Sequence, residues 1–183
     1  MEIEENDSPV TNRIVLAGGC FWGMEKLYRS FNGIVYVTAG YANGRGEEYA
    51  NYESVCSGRT GFREAVLLEY EPAVISLKTI LDIFFSVIDP TMFNRQGMDM
   101  GSQYQTGIYW ENGQDSEFIR ERAAEEAAKY REFWTEIKPL ENFYPAEEYH
   151  QIYLEKHPDG YCHISPSKIE RLVQTFQEAQ TLH

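Results

Sequence analysis

Between Arg13 and Gly33 the chain changes its hydrophobic period, and the change is bridged by Gly18-Gly19-Cys20. Arg13 to Ala17 (Arg-Ile-Val-Leu-Ala) has the length and composition of a short buried strand. Met24 to Phe31 carries Leu27, Tyr28 and Phe31 on one helical face, and Gly33 supplies a stop. A strand that hands over to a helix in this way points to helices packed on a sheet. It also sets Cys20 near a helix N-terminus, where unpaired N–H groups and the helix dipole favour the thiolate. Phe21 and Trp22 give the sulfur an apolar wall. Two readings stay open on the residues alone: a reactive thiol, or a buried cysteine acting as a small hydrophobe.

Further elements follow in alternation. Ile34 to Tyr41 and Ala65 to Tyr70 read as strands, the second apolar at most positions, as in a buried strand. Leu77 to Ile88 reads as a helix with Ser76 as N-cap and Asp89-Pro90 as its end. Thr106 to Trp110 is a strand. Asp115 to Phe133 is a charged helix with Phe118, Ile119, Ala123, Ala127 and Tyr130 at helical spacing. Thr135 to Lys138 is expected as a last strand. Ala146 to Glu155 reads as a helix with Pro145 near its first turn, and Ser167 to Gln180 as a closing helix with Ile169, Leu172, Val173 and Phe176 inward. The expectation is an α+β fold, a single-domain α/β sandwich with a mixed sheet. The stretch from Gly40 to Phe62, rich in Gly, Asn and Tyr, is too long for a plain connector and is expected to help build a site. Residues 1–10 are acidic and polar and are expected to be disordered, leaving 11–183 as one catalytic domain.

With 16 basic and 29 acidic residues, the formal charge of −13 argues against nucleic acid and anionic membranes as partners. The N-terminus has neither the basic nor the apolar region of a secretory signal, and no apolar run reaches transmembrane length. A cytoplasmic monomer is the expectation. Three widely spaced cysteines, Cys20, Cys56 and Cys162, do not make a disulfide framework, and no Cys-x-x-Cys pair or Cys/His cluster suggests zinc. No nucleotide, metal or flavin motif is visible, so no tightly bound cofactor is expected.

The run Gly19-Cys20-Phe21-Trp22-Gly23 resembles the active-site signature of the A-type peptide methionine sulfoxide reductases. Other segments match that family in order: Gly40-Tyr41, Tyr52 to Gly58, Gly61 to Val66, Asp89-Pro90, Asp99 to Gln105, Ala146 to Gln151 and Gly160-Tyr161-Cys162. The match runs from about Ile14 to about Ile164. It implies a ferredoxin-like core with long irregular segments and an active site at the end of the sheet. It also implies thiol-dependent reduction of the S epimer of methionine sulfoxide, free or in proteins, with thioredoxin as reductant.

By this resemblance Cys20 is the nucleophile that ends as a sulfenic acid, and Cys162 is the resolving thiol that closes a disulfide on it. Many family members have another cysteine further toward the C-terminus, which this chain lacks. Glu64 is the expected proton donor; beside the apolar strand that follows it, desolvation would keep its carboxyl protonated near neutral pH. Otherwise it is a solvated strand-end glutamate. Tyr52 and Tyr104 match phenols that donate to the sulfoxide oxygen as charge grows there. Asp99 matches an acid that helps to bind substrate, and Phe21 and Trp22 match the apolar pocket for the substrate's methyl group. Packing or surface roles are the ordinary alternatives for each. Phe62 stands where the family usually has His, which removes a titratable neighbour of Glu64. Cys56 is expected to be buried and structural, with alternative resolver as its other reading. His150 and His163 are assigned no catalytic role.

Two other classes remain on the residues alone. A cysteine hydrolase would use Cys20 for acyl transfer, but it needs an oriented His base; His150, His157, His163 and His183 lie in no recognisable triad motif. A non-catalytic methionine- or peptide-binding module would have no need of Cys20, Glu64 and Cys162 together.

Overall fold

The structure is a computed structural model that describes residues 8–181, with side chains to Gln177. In chain order it forms β1 (Asn12–Ala17), α1 (Phe21–Arg29), β2 (Ile34–Ala42), α2 (Tyr52–Cys56), β3 (Arg63–Tyr70) and α3 (Leu77–Val87). Next come the two-residue strands β4 (Arg95–Gln96) and β5 (Asp99–Met100), then β6 (Gly107–Trp110), α4 (Ser116–Ala127), β7 (Glu136–Pro139), β8 (Phe143–Pro145), α5 (Tyr153–Lys156) and α6 (Pro166–Thr181).

Apolar residues on consecutive positions of β3 from Ala65 to Leu68 require cover on both faces, and β3 lies inside a six-stranded sheet ordered β7-β6-β1-β3-β2-β8. The inner four strands follow a β-α-β-β-α-β path with antiparallel neighbours, which is the expected ferredoxin-like core. β7 adds to β6 in parallel, so the sheet is mixed. α1 and α3 bury Met24, Leu27, Tyr28, Ile80, Leu81 and Phe84 against Ile14, Leu16, Val66 and Leu68. Ser76 caps α3 as expected, its hydroxyl accepting the Thr79 N–H at 3.1 Å.

Several boundaries depart from the sequence reading. α1 begins at Phe21, so Cys20 is its N-cap residue. β3 begins at Arg63, which puts Glu64 inside the strand instead of before it. α4 stops at Ala127, well short of Phe133, and leaves Phe118 and Tyr130 exposed while Ile119 and Ala123 are buried. The chain leaves the helix so that Trp134 N–H can reach the Pro90 carbonyl at 2.7 Å and β7 can align with β6. β7 is not the last strand, because β8 pairs with β2 at the opposite edge of the sheet. Ala146 to Glu155 is not one helix. Pro145 belongs to β8, a single 3₁₀ turn spans Glu148–His150, and a left-handed Ile152 separates it from α5. The expected disorder of residues 1–10 falls mostly on residues 1–7, outside the described residues, as does His183; Ser8 to Val10 are exposed and in no regular element.

Leu68 is fully buried in β3. Leu68→Ala is expected to lower the unfolding free energy by about 2–5 kcal/mol, and Ser76→Ala by about 1 kcal/mol, both read from urea denaturation.

Candidate active site

The end of the sheet where β1 hands over to α1 collects the candidate residues. Gly19 makes the turn with φ of +86°, and a Cβ there would sit 2.9 Å from the Gln96 side chain. Cys20 is buried at the N-cap, and its side chain makes no capping hydrogen bond. The orphan N–H of Phe21 is instead satisfied from β3: it donates to Glu64 Oε1 at 3.2 Å. Glu64 is 1% exposed, and its other carboxyl oxygen is buried without a partner. Burial pushes the Glu64 carboxyl up to about 8; the Phe21 N–H opposes this and the charge of Asp99 adds to it.

The same burial changes the reading of Cys20. The N–H groups of Trp22 and Gly23 do favour its thiolate, as a helix start should. Desolvation and the neighbouring Glu64 outweigh them and push the thiol far above its ordinary value. In the free protein Cys20 is therefore a thiol, and the expectation that its position favours the thiolate is corrected. Deprotonation beside a neutral Glu64 is easier than beside a carboxylate.

Tyr52 opens α2 and Tyr104 follows β5; both phenols lie within electrostatic reach of Cys20 and Glu64. Burial holds both far above their ordinary value, so they are O–H donors. Asp99 sits on the β4–β5 hairpin and accepts the Tyr161 O–H at 3.1 Å. Buried Gln96 fixes that hairpin, accepting the Asp89 N–H at 2.6 Å and donating to the Asp89 carbonyl at 3.1 Å.

Cys162 reaches the site because Gly23 has no side chain. A Cβ on Gly23 would lie 2.8 Å from the His163 ring and 3.4 Å from the Cys162 sulfur, on the first turn of α1. The Cys162 thiol donates to the Ile164 carbonyl at 2.9 Å. Cys56, in contrast, is exposed at the end of α2 and hydrogen-bonded to Tyr52, so it is not the buried structural cysteine expected. Its place on a short surface helix, with Val55 turned inward, accounts for the difference.

Phe21 and Trp22 form an apolar wall together with residues that the sequence reading did not select. His150 is 2% exposed, with its ring 5.2 Å from Phe21, 5.7 Å from Trp22 and 4.5 Å from Tyr52. Its Nδ1 accepts the Trp22 indole N–H at 3.1 Å. Tyr153 stacks on Trp22 at 3.8 Å. Glu147 accepts the Tyr41 O–H at 2.9 Å and the Tyr52 N–H at 3.2 Å. Gln151 bridges the Ala39 N–H and carbonyl. The polar residues of Ala146 to Gln151 thus fasten this segment to β2 and α2. No local pattern in Ala146 to Gln151 distinguishes these clamps from the polar face of a surface helix. Phe62 fills the position beside Glu64 with a buried ring against Tyr41 and Tyr144. Neither His150 nor His163 is hydrogen-bonded to Cys20: His163 Nε2 pairs with the Gly18 carbonyl at 3.0 Å. Among the described residues, no group of three or more His, Cys, Asp or Glu side chains is placed to hold a metal ion.

The family model described as peptide methionine sulfoxide reductase matches residues 12–181. The chain belongs to this family. It is 51% identical over 153 residues to the peptide methionine sulfoxide reductase MsrA of Clostridium perfringens strain 13, an alignment spanning 83% of this chain and 97% of that one. The reduced form of Mxr1 from Saccharomyces cerevisiae superposes with a TM-score of 0.79 at 41% identity, covering 83% of this chain and 88% of Mxr1. Mxr1 in complex with Trx2 superposes at 0.55 with 30% identity, covering 82% and 89%.

The raised Glu64 carboxyl has a thermodynamic signature. In the unfolded chain it ionises near 4.5 and in the folded protein near 8. Folding keeps the proton, so the stability this provides is complete below about pH 4.5 and is lost as pH rises through 8. Glu64→Gln is expected to gain stability relative to the parent across that window and to hold the gain above it, as measured by urea denaturation at stepped pH.

Proposed function

We propose that this reductase acts on the S epimer of methionine sulfoxide, free and within proteins, with Cys20 as nucleophile, Glu64 as acid and Cys162 as resolver. The single observation that carries the reading is the pairing of a buried thiol with a buried carboxyl, which accepts the Phe21 N–H, at one helix start. The substrate's methyl group packs against Phe21 and Trp22, which turns its sulfur toward Cys20. Glu64 gives its proton to the sulfoxide oxygen; the carboxylate so formed takes the thiol proton as the Cys20 sulfur attacks the substrate's sulfur, and the S–O bond then breaks. The O–H groups of Tyr52 and Tyr104 stabilise charge on that oxygen, and Asp99 helps to bind substrate. The oxygen ends on Cys20 as a sulfenic acid, and methionine leaves. Cys162 then attacks this sulfenic acid, forming a disulfide and releasing water. Residues 11–183 act as one catalytic unit.

A thioredoxin-type dithiol is the proposed reductant of that disulfide, a reading supported by the Mxr1 complex with Trx2. Among the described residues no helix is long and apolar enough to cross a membrane, and we take the protein to be a cytoplasmic monomer. A hydrolase would need a histidine base on Cys20, and the partners of His150 and His163 speak against it.

Intact mass after addition of methionine sulfoxide without reductant tests the assignment. Loss of two hydrogens in the parent and gain of one oxygen in Cys162→Ser are expected. A disulfide in both would transfer the resolving role to Cys56, and no mass change with no methionine released would sink the mechanism. The single-turnover rate is expected to fall as pH rises through about 8, where Glu64 loses its proton; a rate that keeps climbing with pH would remove Glu64 as the acid.

A further inference from the structure

The hairpin that carries Asp99 also carries two methionines that the mechanism does not use. β4 and β5 pair Arg95 with Met100 and Gln96 with Asp99, which leaves Gly97 and Met98 as a two-residue turn. Gly97, at φ of +58°, supplies the left-handed first position that such a tight turn takes. Residues paired across a hairpin share a face, and the faces alternate along each strand. Gln96 is buried against the Gly19 turn and Asp99 accepts the Tyr161 O–H, so their face looks to the site. Arg95 and Met100 are on the opposite face, in solvent.

Met98 is 90% exposed and Met100 is 72% exposed, whereas Met24 is fully buried in the core and Met92 is half-buried. A Cβ on Gly97 would meet nothing within 4 Å, so the tip of the hairpin stands clear of the rest of the chain. An exposed thioether is the one that an oxidant reaches first. The same exposure lets its side chain enter the pocket of another molecule. The pocket of its own molecule is closed to it, because the base of the hairpin is fixed. Gln96 holds the N–H and the carbonyl of Asp89 at 2.6 and 3.1 Å, and the Gly101 N–H donates to the Asn94 carbonyl at 2.9 Å. Met100 would have to turn with the whole hairpin to face Cys20.

We propose that Met98 and Met100 are sites of oxidation by peroxide, and that their sulfoxides are repaired in trans by the active site of a second copy of this chain. Peroxide forms one S–O bond on the thioether as its O–O bond breaks and water leaves. Cys20 of the second copy takes the oxygen as a sulfenic acid and the thioether is restored. Cys162 of that copy then closes the disulfide with release of water, and a dithiol returns both thiols. The hairpin that presents Asp99 is thereby maintained by the activity it serves. The repair step rests on the proposed function; the oxidation step does not.

The test starts from isotope-labelled Cys20→Ser, which cannot repair itself. It is treated with hydrogen peroxide, freed of it and mapped by peptide mass. Oxygen is expected on Met98 and Met100 well before Met24, and equal uptake by Met24 overturns the proposal. Unlabelled parent and dithiothreitol are then added. Peroxide attacks both faces of an exposed thioether alike, so about half of the oxygen on Met98 and Met100, the S epimer, should leave. Loss of that oxygen with dithiothreitol alone overturns repair by a second copy. Free methionine sulfoxide serves as the control. Oxygen that stays on the hairpin while the parent reduces the free compound overturns this inference alone; a parent that reduces neither defeats the reductase reading and the repair step with it. Should Cys20→Ser fail to fold, peroxide-treated parent is followed at two protein concentrations. A rate per molecule that rises with concentration supports repair in trans, and a rate independent of concentration overturns it.

Discussion

The hydrogen bond from the Phe21 N–H to the Glu64 carboxyl joins the two halves of the site. It ties the first turn of α1 to β3, an inner strand of the sheet. A helix start needs acceptors, and the usual source is a Ser, Thr, Asp or Asn at the N-cap. Here the N-cap is Cys20, which makes no capping bond, so the acceptor comes from across the sheet. One contact therefore terminates the helix, aims the thiol and anchors the acid. The acid stays neutral because it is enclosed: burial disfavours its charged form, and Asp99 adds negative charge nearby.

The rest of the site is built by chain with little regular structure. From Ala146 to Ile164 the regular structure is one 3₁₀ turn and the four-residue helix α5, and the backbone is held by side chains: Glu147 on Tyr41 and Tyr52, Gln151 on Ala39. Charge-assisted and bidentate contacts of this kind are stronger than neutral single ones. They allow an irregular segment to keep an aromatic wall in register with α1.

Much of the core was legible in the sequence because period-two and helical patterns reflect the burial that shapes them. β1, β2, β3 and α3 fall where their apolar residues predict, and Cys20, Glu64, Tyr52, Asp99 and Tyr104 are brought to one end of the sheet. The failures share a cause. Helical composition over Ala146 to Glu155 is overridden by clamps on residues distant in sequence, and α4 ends early because Trp134 bonds to Pro90. No local pattern encodes such partners. Cys20 illustrates the limit for chemistry as well. The helix start that favours its thiolate could be inferred from the residues, but the burial that outweighs it comes from tertiary structure.

The unequal anchoring of the two thiols has a further consequence. Cys20 sits between a strand of the central sheet and the helix packed on it, whereas Cys162 lies in side-chain-clamped chain that approaches the first turn of α1 through the space left by Gly23. Local opening draws first on segments with few regular hydrogen bonds. Heating or mild denaturant would then detach Cys162 while the Cys20 end stands intact. Under the proposed roles, such a molecule spends itself on one substrate and remains as a sulfenic acid, open to further, irreversible oxidation. The working limit of the protein would be set by how firmly its tail stays docked, well before the sheet melts.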